Sequence, residues 1–185
     1  MRVVAGSLRG RRLVAPSGPA TRPTSDRVRE ATFNALASLD VVRDATVLDL
    51  FAGSGALGIE ALSRGAAHCT FVEQARPAIA AVRQNLDALG LSEQATVVTM
   101  DVDRYVASAA AGRFDLALAD PPYAYDGWPA LLDAVPAAVL VAESDRAVEP
   151  GEPGETGGPS AGWELVRSRR YGTTHVTILR RIPSP

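Results

Sequence analysis

Residues 46–58 read TVLDLFAGSGALG, and this stretch decides the fold class of the chain. Its first six residues, 46–51, carry the apolar and β-branched side chains of a buried strand. The glycines that follow, from Gly53 to Gly58, form a G-x-G-x-x-G turn that leads into a helix. A strand, a glycine-rich turn and a helix in this order predict a Rossmann-like α/β unit that binds its ligand at the carboxyl edge of the sheet.

Strand-like and helix-like segments alternate after this turn. The predicted strands occupy residues 46–51, 68–73, 95–100, 114–119 and 138–142. The predicted helices between them occupy residues 56–63, 75–89, 103–110 and 126–135. Residues 164–170 and 174–181 flank a short turn and are typical of an antiparallel hairpin. We therefore expect a mostly parallel seven-stranded sheet that ends in an antiparallel hairpin.

The residues before this sheet form a small extension in the predicted architecture. Two short apolar runs, 2–4 and 11–14, predict a β-hairpin, and a helix follows from near Asp26. The expected boundaries are 1–40 for the N-terminal extension and 41–185 for the main domain, in which the Gly- and Pro-rich residues 144–162 form a flexible loop.

Composition limits the classes of protein to which the chain can belong. At 185 residues, with 46% hydrophobic and 22% charged residues, it has the size and make-up of one globular domain. A single cysteine and two histidines predict neither a disulfide nor a protein metal site. Because no long apolar run and no secretory signal is visible, we expect a cytoplasmic protein without membrane contact.

Charge is distributed unevenly along the chain, whose net charge is −2. Residues 1–30 and 163–185 have net charges of +5 and +4, whereas residues 31–162 have a net charge of −11. Coding bias explains why all 19 basic residues are arginines, but it does not explain why the acidic residues avoid both ends. The N-terminal cluster is therefore predicted to contact a polyanion such as a nucleic acid.

Two acidic residues at predicted strand ends indicate which ligand the glycine turn binds. Glu73 follows Gly53 by 20 residues and ends the second strand, where an acid can accept hydrogen bonds from ribose hydroxyls. Asp49 would repel a dinucleotide pyrophosphate, but it suits the ammonium and sulfonium of S-adenosylmethionine. The chain is also too short for the second half of a dinucleotide enzyme. We therefore expect S-adenosylmethionine as the cofactor; Asp49 has the alternative role of a buried cap for the turn.

The tetrapeptide Asp120-Pro121-Pro122-Tyr123 follows the fourth predicted strand at the same sheet edge. An exocyclic amine of a nucleobase is a poor nucleophile, because its lone pair is delocalised into the ring. The carboxylate of Asp120 and a backbone carbonyl stiffened by Pro121 can accept the two N–H groups of such an amine. Tyr123 can stack on a base that has left its helix. The tetrapeptide is therefore the predicted catalytic motif, although two prolines after a strand can also simply end that strand.

The motifs now resemble those of a known protein class. DLFAGSG at 49–55 and ADPPY at 119–123 resemble the class I S-adenosylmethionine-dependent amino-methyltransferases. VVAGSLRGRRL at 3–13 and RPTSDRVREATFNAL at 22–36 are similar to one bacterial family, the RsmD 16S rRNA (guanine-N2)-methyltransferases. The resemblance implies the class I methyltransferase fold and methylation of the N2 amine of guanine 966, in bacterial 16S numbering. It also implies an assembling small ribosomal subunit as the substrate, with ribosomal proteins as further candidate partners.

The same resemblance implies roles for individual residues. Those that would hold the methyl donor are Thr24, Arg27, Asp49, Phe51, Ala52, Gly53, Ser54, Gly55, Glu73, Gln74, Asp101 and Val102. Those that would orient and stack on the guanine are Asp120, Pro121, Pro122 and Tyr123. Those that would contact RNA phosphates are Arg2, Arg9, Arg11 and Arg12. Thr24 and Arg27 have the alternative role of capping the helix that follows them.

Two other functions remain open at the level of the residues. Adenine also has an exocyclic amine, so adenine-N6 methylation of DNA or RNA would use the same tetrapeptide, although the chain has no room for the target-recognition domain of the DNA enzymes. The other function is a non-catalytic RNA-binding assembly factor, against which the intact Asp120 argues. Tyr125 and Trp128 follow the tetrapeptide and either shape the base pocket or pack a helix.

Overall fold

The computed structural model of the protein describes residues 1–16, 26–108, 112–149 and 162–183. The strands of this described part are β1 (Thr46–Leu50), β2 (His68–Glu73), β3 (Ala95–Thr99), β4 (Phe114–Ala119), β5 (Ala137–Ser144), β6 (Trp163–Tyr171) and β7 (Thr174–Arg181). Its α-helices are α1 (Asp26–Ser38), α2 (Ala56–Ser63), α3 (Arg76–Leu89), α4 (Val102–Val106) and α5 (Trp128–Ala134).

One sheet contains all seven of these strands, in the order β3-β2-β1-β4-β5-β7-β6. The first five strands pair in parallel, whereas β7 is antiparallel to both β5 and β6. The strand order reverses at β1, which lies between β2 and β4, and open α/β sheets bind ligands at such a point. The predicted mostly parallel sheet with a C-terminal antiparallel hairpin is confirmed.

The first residue predicted for the loop 144–162 still belongs to a strand in the structure. Ser144 is still part of β5, where it pairs with His175 of β7. Val148 is buried, and its N–H donates to the hydroxyl of Thr177 at 3.3 Å. The pairing with β7 extends β5 beyond its apolar run, which is why the sequence pattern ended the strand at residue 142. Residues 150–161 of the predicted loop lie outside the described part of the chain.

Two predicted helices are shorter in the structure. The helix predicted at 103–110 is α4, which begins one residue earlier because Asp101 caps it, its carboxylate accepting the N–H of Arg104 at 3.1 Å. The helix predicted at 126–135 begins at Trp128, with Pro129 in the first turn, where the missing N–H of proline costs nothing.

Alternate residues of β1 point to opposite faces of the sheet and enter two apolar cores. Val47 belongs to the core that also contains residues of α1, α2 and α3, whereas Leu48 and Leu50 belong to the core under α4 and α5. Asp49 follows the alternation of Val47, and its buried carboxylate therefore lies on the α2 side of the sheet.

The N-terminal hairpin shares the first of these cores. An antiparallel bridge joins Arg2 to Arg12, and the N–H of Val3 donates to the carbonyl of Arg11 at 3.0 Å. The side chains of Val3 and Leu13 are buried in the core that contains α1 and α2. The predicted hairpin is confirmed, and its apolar side chains pack against the main sheet domain.

A buried carboxylate on α2 attaches the N-terminal segment to the rest of the fold. Glu60 is fully buried and accepts the backbone N–H groups of Val4 at 2.7 Å and Ala5 at 3.0 Å. The buried guanidinium of Arg29 lies 3.6 Å from this carboxylate, and Arg64 donates to it at 2.7 Å. Because the carboxylate is buried, these donors together compensate its charge, and the loss of either arginine would leave it less well compensated.

Candidate active site

A cavity of about 420 Å³ lies at the carboxyl ends of the parallel strands. The turn after β1, the end of β2, the tetrapeptide after β4 and the turn between β6 and β7 contribute to its wall. Of the residues expected at the site, those that line it are Asp49, Phe51, Ala52, Gly53, Ser54, Glu73, Asp120, Pro121, Pro122 and Tyr123. Residues far apart in sequence meet here because the carboxyl ends of parallel strands share one edge of the sheet.

Five other expected donor residues lie outside the described lining of this cavity; they are Arg27, Gly55, Gln74, Asp101 and Val102. Arg27 is exposed on the first turn of α1. Asp101 caps α4, so its carboxylate already has one backbone partner. Thr24 lies outside the residues that the structure describes.

Asp49 is a buried acid that holds the glycine turn and also lines the cavity. Its side chain is 1% exposed, and its carboxylate accepts the N–H of Gly58 at 2.9 Å, in the first turn of α2. Burial raises the pKa of Asp49 well above its usual range. The hydrogen bond from Gly58 lowers this pKa, whereas the nearby carboxylates of Asp120 and Glu73 raise it further. Both roles considered for Asp49 are therefore compatible with its position.

Glu73 links the end of β2 to the glycine turn. One carboxylate oxygen accepts the N–H of Gly53 at 3.0 Å, and the other accepts the N–H groups of Gln74 and Ala75, both at 2.8 Å. Three backbone donors orient the carboxylate, and the side chain still lines the cavity. Gln74 takes part in these contacts through its backbone N–H, which donates to Glu73, rather than through its side chain.

Phe51 gives the turn its shape. Its φ is 58°, which is uncommon for a residue with a large side chain, and it directs the chain from β1 into the glycine turn. The ring packs edge-on against Tyr125 with centroids 5.0 Å apart, and Tyr125 packs in the same way against Trp128 at 5.6 Å. The hydroxyl of Tyr125 donates to Asp103 at 2.8 Å. Tyr125 and Trp128 thus pack the segment after the tetrapeptide against Phe51, and neither is part of the described cavity lining.

Sequence reasoning missed one acidic residue of the cavity. Glu143 is 1% exposed, near the end of β5, and lines the cavity beside Asp120. An acid within the last two residues of a buried strand, here AAVLVAES, is a signal that could have identified it, because Asp49 and Glu73 have the same position in β1 and β2.

The cavity is acidic. Four carboxylates line it, those of Asp49, Glu73, Asp120 and Glu143, and its described lining contains no arginine or histidine. Such a lining favours a ligand with positive charge and disfavours a phosphate or pyrophosphate. The ammonium and sulfonium of S-adenosylmethionine fit this set of acidic side chains.

The mouth of the cavity is formed by segments from both ends of the chain. Tyr171, Gly172, Thr173 and Thr174, at the turn of the β6–β7 hairpin, line it together with Met1. Tyr123 also lines the cavity and is 45% exposed, so part of this residue is accessible from solvent. The sequence predicted the hairpin but not that its turn reaches the cavity, because this depends on the pairing of β7 with β5.

The four arginines of the N-terminal hairpin, Arg2, Arg9, Arg11 and Arg12, are all exposed. Arg2 donates to the carbonyl of Gly10 and Arg11 to the carbonyl of Ala88, both at 2.9 Å. These contacts use one guanidinium nitrogen of each side chain and leave further N–H groups directed to solvent.

The residues that the structure describes hold neither a cluster of metal ligands nor a membrane-spanning helix. Within these ranges, no three or more His, Cys, Asp and Glu side chains are grouped so that they could hold a metal ion. No helix in the described part of the chain is long and apolar enough to cross a bilayer.

Comparisons with known proteins agree with the geometry of the site. The family described as conserved hypothetical protein 95 matches residues 1–180. The protein named "Putative rRNA methyltransferase YlbH" of Bacillus subtilis is 41% identical over 193 residues, which cover 98% of this chain and 99% of that protein. The "Ribosomal RNA small subunit methyltransferase D" of Escherichia coli is 43% identical over 123 residues, which cover 66% of this chain and 60% of that protein.

The solved structure titled "Putative methyltransferase yhhF from Escherichia coli" has a TM-score of 0.79 and 36% identity to the chain, covering 98% of this chain and 97% of that one. The class I methyltransferase fold expected from the motifs is therefore confirmed. Because the family match spans nearly the whole chain and relatives above 30% identity accompany it, the chain belongs to the conserved hypothetical protein 95 family, the RsmD family of methyltransferases that its motifs resemble.

Proposed function

We propose that the chain methylates the N2 amine of a guanine in 16S rRNA, at position 966 in bacterial numbering, as a component of small-subunit assembly. The observation that carries this proposal is the acidic cavity in which the glycine turn and the tetrapeptide Asp120–Tyr123 meet. The names of two relatives, which are those of rRNA methyltransferases, support rRNA as the substrate class.

S-adenosylmethionine is the methyl donor of class I methyltransferases, and it supplies a methyl carbon activated by the adjacent sulfonium. The carboxylate of Glu73 would accept hydrogen bonds from the ribose hydroxyls of this donor. The turn from Phe51 to Gly55 and the carboxylate of Asp49 would hold its methionine part. Asp101 and Val102 would border the adenine, and Thr24 and Arg27 would close over the donor carboxylate.

The tetrapeptide would prepare the amine for attack. The carboxylate of Asp120 and the carbonyl of Pro121 would accept the two N–H groups of the guanine amine, drawing the nitrogen towards tetrahedral geometry and freeing its lone pair. Pro122 would stiffen this arrangement, and the exposed ring of Tyr123 would stack on the flipped base. As the bond from nitrogen to the methyl carbon would form and the bond from that carbon to the sulfonium sulfur would break, the carboxylate of Asp120 would accept the proton that the amine loses. The contribution of these groups is positioning and electrostatic stabilisation.

The N-terminal extension, residues 1–40, would bind the RNA around the target base. The exposed arginines at positions 2, 9, 11 and 12 would contact phosphates. The hairpin that carries them packs on the same core as α2, whose first turn adjoins the cavity, so bound RNA would approach the mouth. Ribosomal proteins beside the target are further candidate partners, and a ribosomal substrate makes the cytoplasm the site of the reaction.

A methyl-transfer assay with tritiated S-adenosylmethionine tests the proposal. The substrates are small subunits that lack the modification, naked 16S rRNA and duplex DNA, followed by nucleoside analysis of the product. We expect label in N2-methylguanosine from the subunits. Label in N6-methyladenosine would instead establish the adenine alternative, and donor binding without any transfer would establish a non-catalytic assembly factor.

A further inference from the structure

Glu143 stands next to the proposed amine site on a neighbouring strand. The parallel pairing of β4 with β5 aligns Ala119 with Ala142, so the next residues, Asp120 and Glu143, lie side by side at the carboxyl edge. Both line the cavity, and Glu143 is almost completely buried there. The carboxyl group of Glu143 therefore lies in the wall of the cavity, next to the residue that would orient the amine.

The four acids of the cavity follow the strand order. Across the edge of the sheet they occur as Glu73 on β2, Asp49 on β1, Asp120 after β4 and Glu143 on β5. In the proposed function the donor occupies the β2 and β1 side, and the amine lies at Asp120. Glu143 is therefore on the far side of the amine from the donor, where the ring of the target base would lie.

We propose that Glu143 accepts the N1–H of the target guanine and thereby selects guanine over adenine; this inference rests on the proposed function. In guanine, N1 and the N2 amine are bonded to the same ring carbon, so a second carboxylate beside Asp120 meets the N1–H. In adenine, the ring nitrogen beside the amine is unprotonated, and its lone pair would face the carboxylate of Glu143. A buried acceptor thus favours one base and repels the other.

The replacement Glu143→Gln changes this selection without changing side-chain size. Glutamine presents one acceptor and one donor, a pair that suits an unprotonated N1 beside an amine. The test substrates are small subunits reconstituted with 16S rRNA that carries guanine, 2-aminopurine or 1-methylguanine at the target position. All three bases keep the N2 amine, but only guanine has an N1–H.

We expect the wild-type protein to methylate guanine about 10- to 100-fold more efficiently, in kcat/KM, than 2-aminopurine. Glu143→Gln is expected to lose most of this preference, with unchanged affinity for S-adenosylhomocysteine in calorimetric titration. Glu164→Gln, the same change at an exposed position on β6, is the matched control and should keep the wild-type preference.

An unchanged preference in a folded Glu143→Gln variant would overturn the inference and leave the proposed function intact. Weaker S-adenosylhomocysteine binding with an unchanged preference would assign Glu143 to the donor instead and would also overturn it. The wild-type comparison needs no variant: equal efficiency on guanine, 2-aminopurine and 1-methylguanine would overturn the inference even if the variant failed to fold. A wild-type protein that methylates no guanine would refute the proposed function and, with it, this inference.

Discussion

Replacing Gly6 by alanine should detach the N-terminal hairpin from α2. Gly6 has a φ of +84°, and a Cβ added there would lie 1.8 Å from the carbonyl oxygen of Ser63 and 2.6 Å from its hydroxyl oxygen. Ser63 is the last residue of α2, so its carbonyl cannot move away without displacing the end of the helix. The substitution therefore forces the hairpin, rather than the helix, to move.

The size of the effect follows from the contacts that this movement breaks. Ser63 accepts the N–H of Ser7 at 2.8 Å and, through its hydroxyl, the N–H of Leu8 at 3.0 Å, and it donates to the carbonyl of Ala5 at 2.6 Å. Three hydrogen bonds at about 1 kcal/mol each, with about 1 kcal/mol of left-handed backbone strain, give a loss of about 4 kcal/mol in the free energy of unfolding.

Urea denaturation of Gly6→Ala and Gly10→Ala measures this loss against a matched control. Gly10 has nearly the same φ, +82°, but a Cβ there meets no atom within 4 Å. Gly10→Ala should therefore lose only the backbone strain, about 1 kcal/mol. If the two variants lost equal stability, the contact between Gly6 and Ser63 would not be what holds the hairpin, and the reasoning would be refuted.

Three further predictions concern the site. Asp120→Ala should lower the rate of methyl transfer by about two to three orders of magnitude and leave S-adenosylhomocysteine binding unchanged. The exposed control Asp126→Ala should change neither the rate nor the binding. Lost donor affinity with full turnover in Asp120→Ala would show that Asp120 does not contact the amine. Glu73→Ala should weaken S-adenosylhomocysteine binding by about 2–3 kcal/mol in calorimetric titration; an unchanged dissociation constant would mean that Glu73 only holds the glycine turn. Combined replacement of Arg9, Arg11 and Arg12 by alanine should abolish subunit methylation and reduce the slope of log RNA affinity against log salt concentration by about two to three. A lower melting temperature with an unchanged salt slope would instead assign these arginines a structural role.

The local patterns of the sequence were sufficient for most of the elements. The bounds of α2, β2, β4 and β7 are those predicted. Polar residues directly follow α2, β2 and β4, and β2 and β4 are largely buried, so their apolar runs end where the elements end. The glycine turn and the tetrapeptide were recognisable for the same reason, because each motif is contiguous and its chemistry depends on neighbours in the chain.

Contacts between segments that are distant in the sequence could not be predicted from such local patterns. Arg29 belongs to the basic segment 1–30, which was predicted to contact a polyanion, yet it is fully buried beside Glu60 of α2. Whether an arginine faces solvent or a buried carboxylate depends on which helix packs on it, and the residues that flank it in the sequence do not indicate this. The raised pKa of the Asp49 carboxyl likewise depends first on its burial and then on the carboxylates of Asp120 and Glu73, which are distant in sequence.

The sequence by itself determined the class of fold, the glycine turn after β1 and the tetrapeptide after β4, because each is set by local periodicity and by the conformational limits of glycine and proline. Only the tertiary structure decided which side chains complete the cavity. Glu143 reaches it because β5 pairs beside β4, and the Tyr171–Thr174 turn reaches it because β7 inserts between β5 and β6. Strand order is a property of long-range pairing, and burial at the sheet edge follows from it rather than from the residues alone.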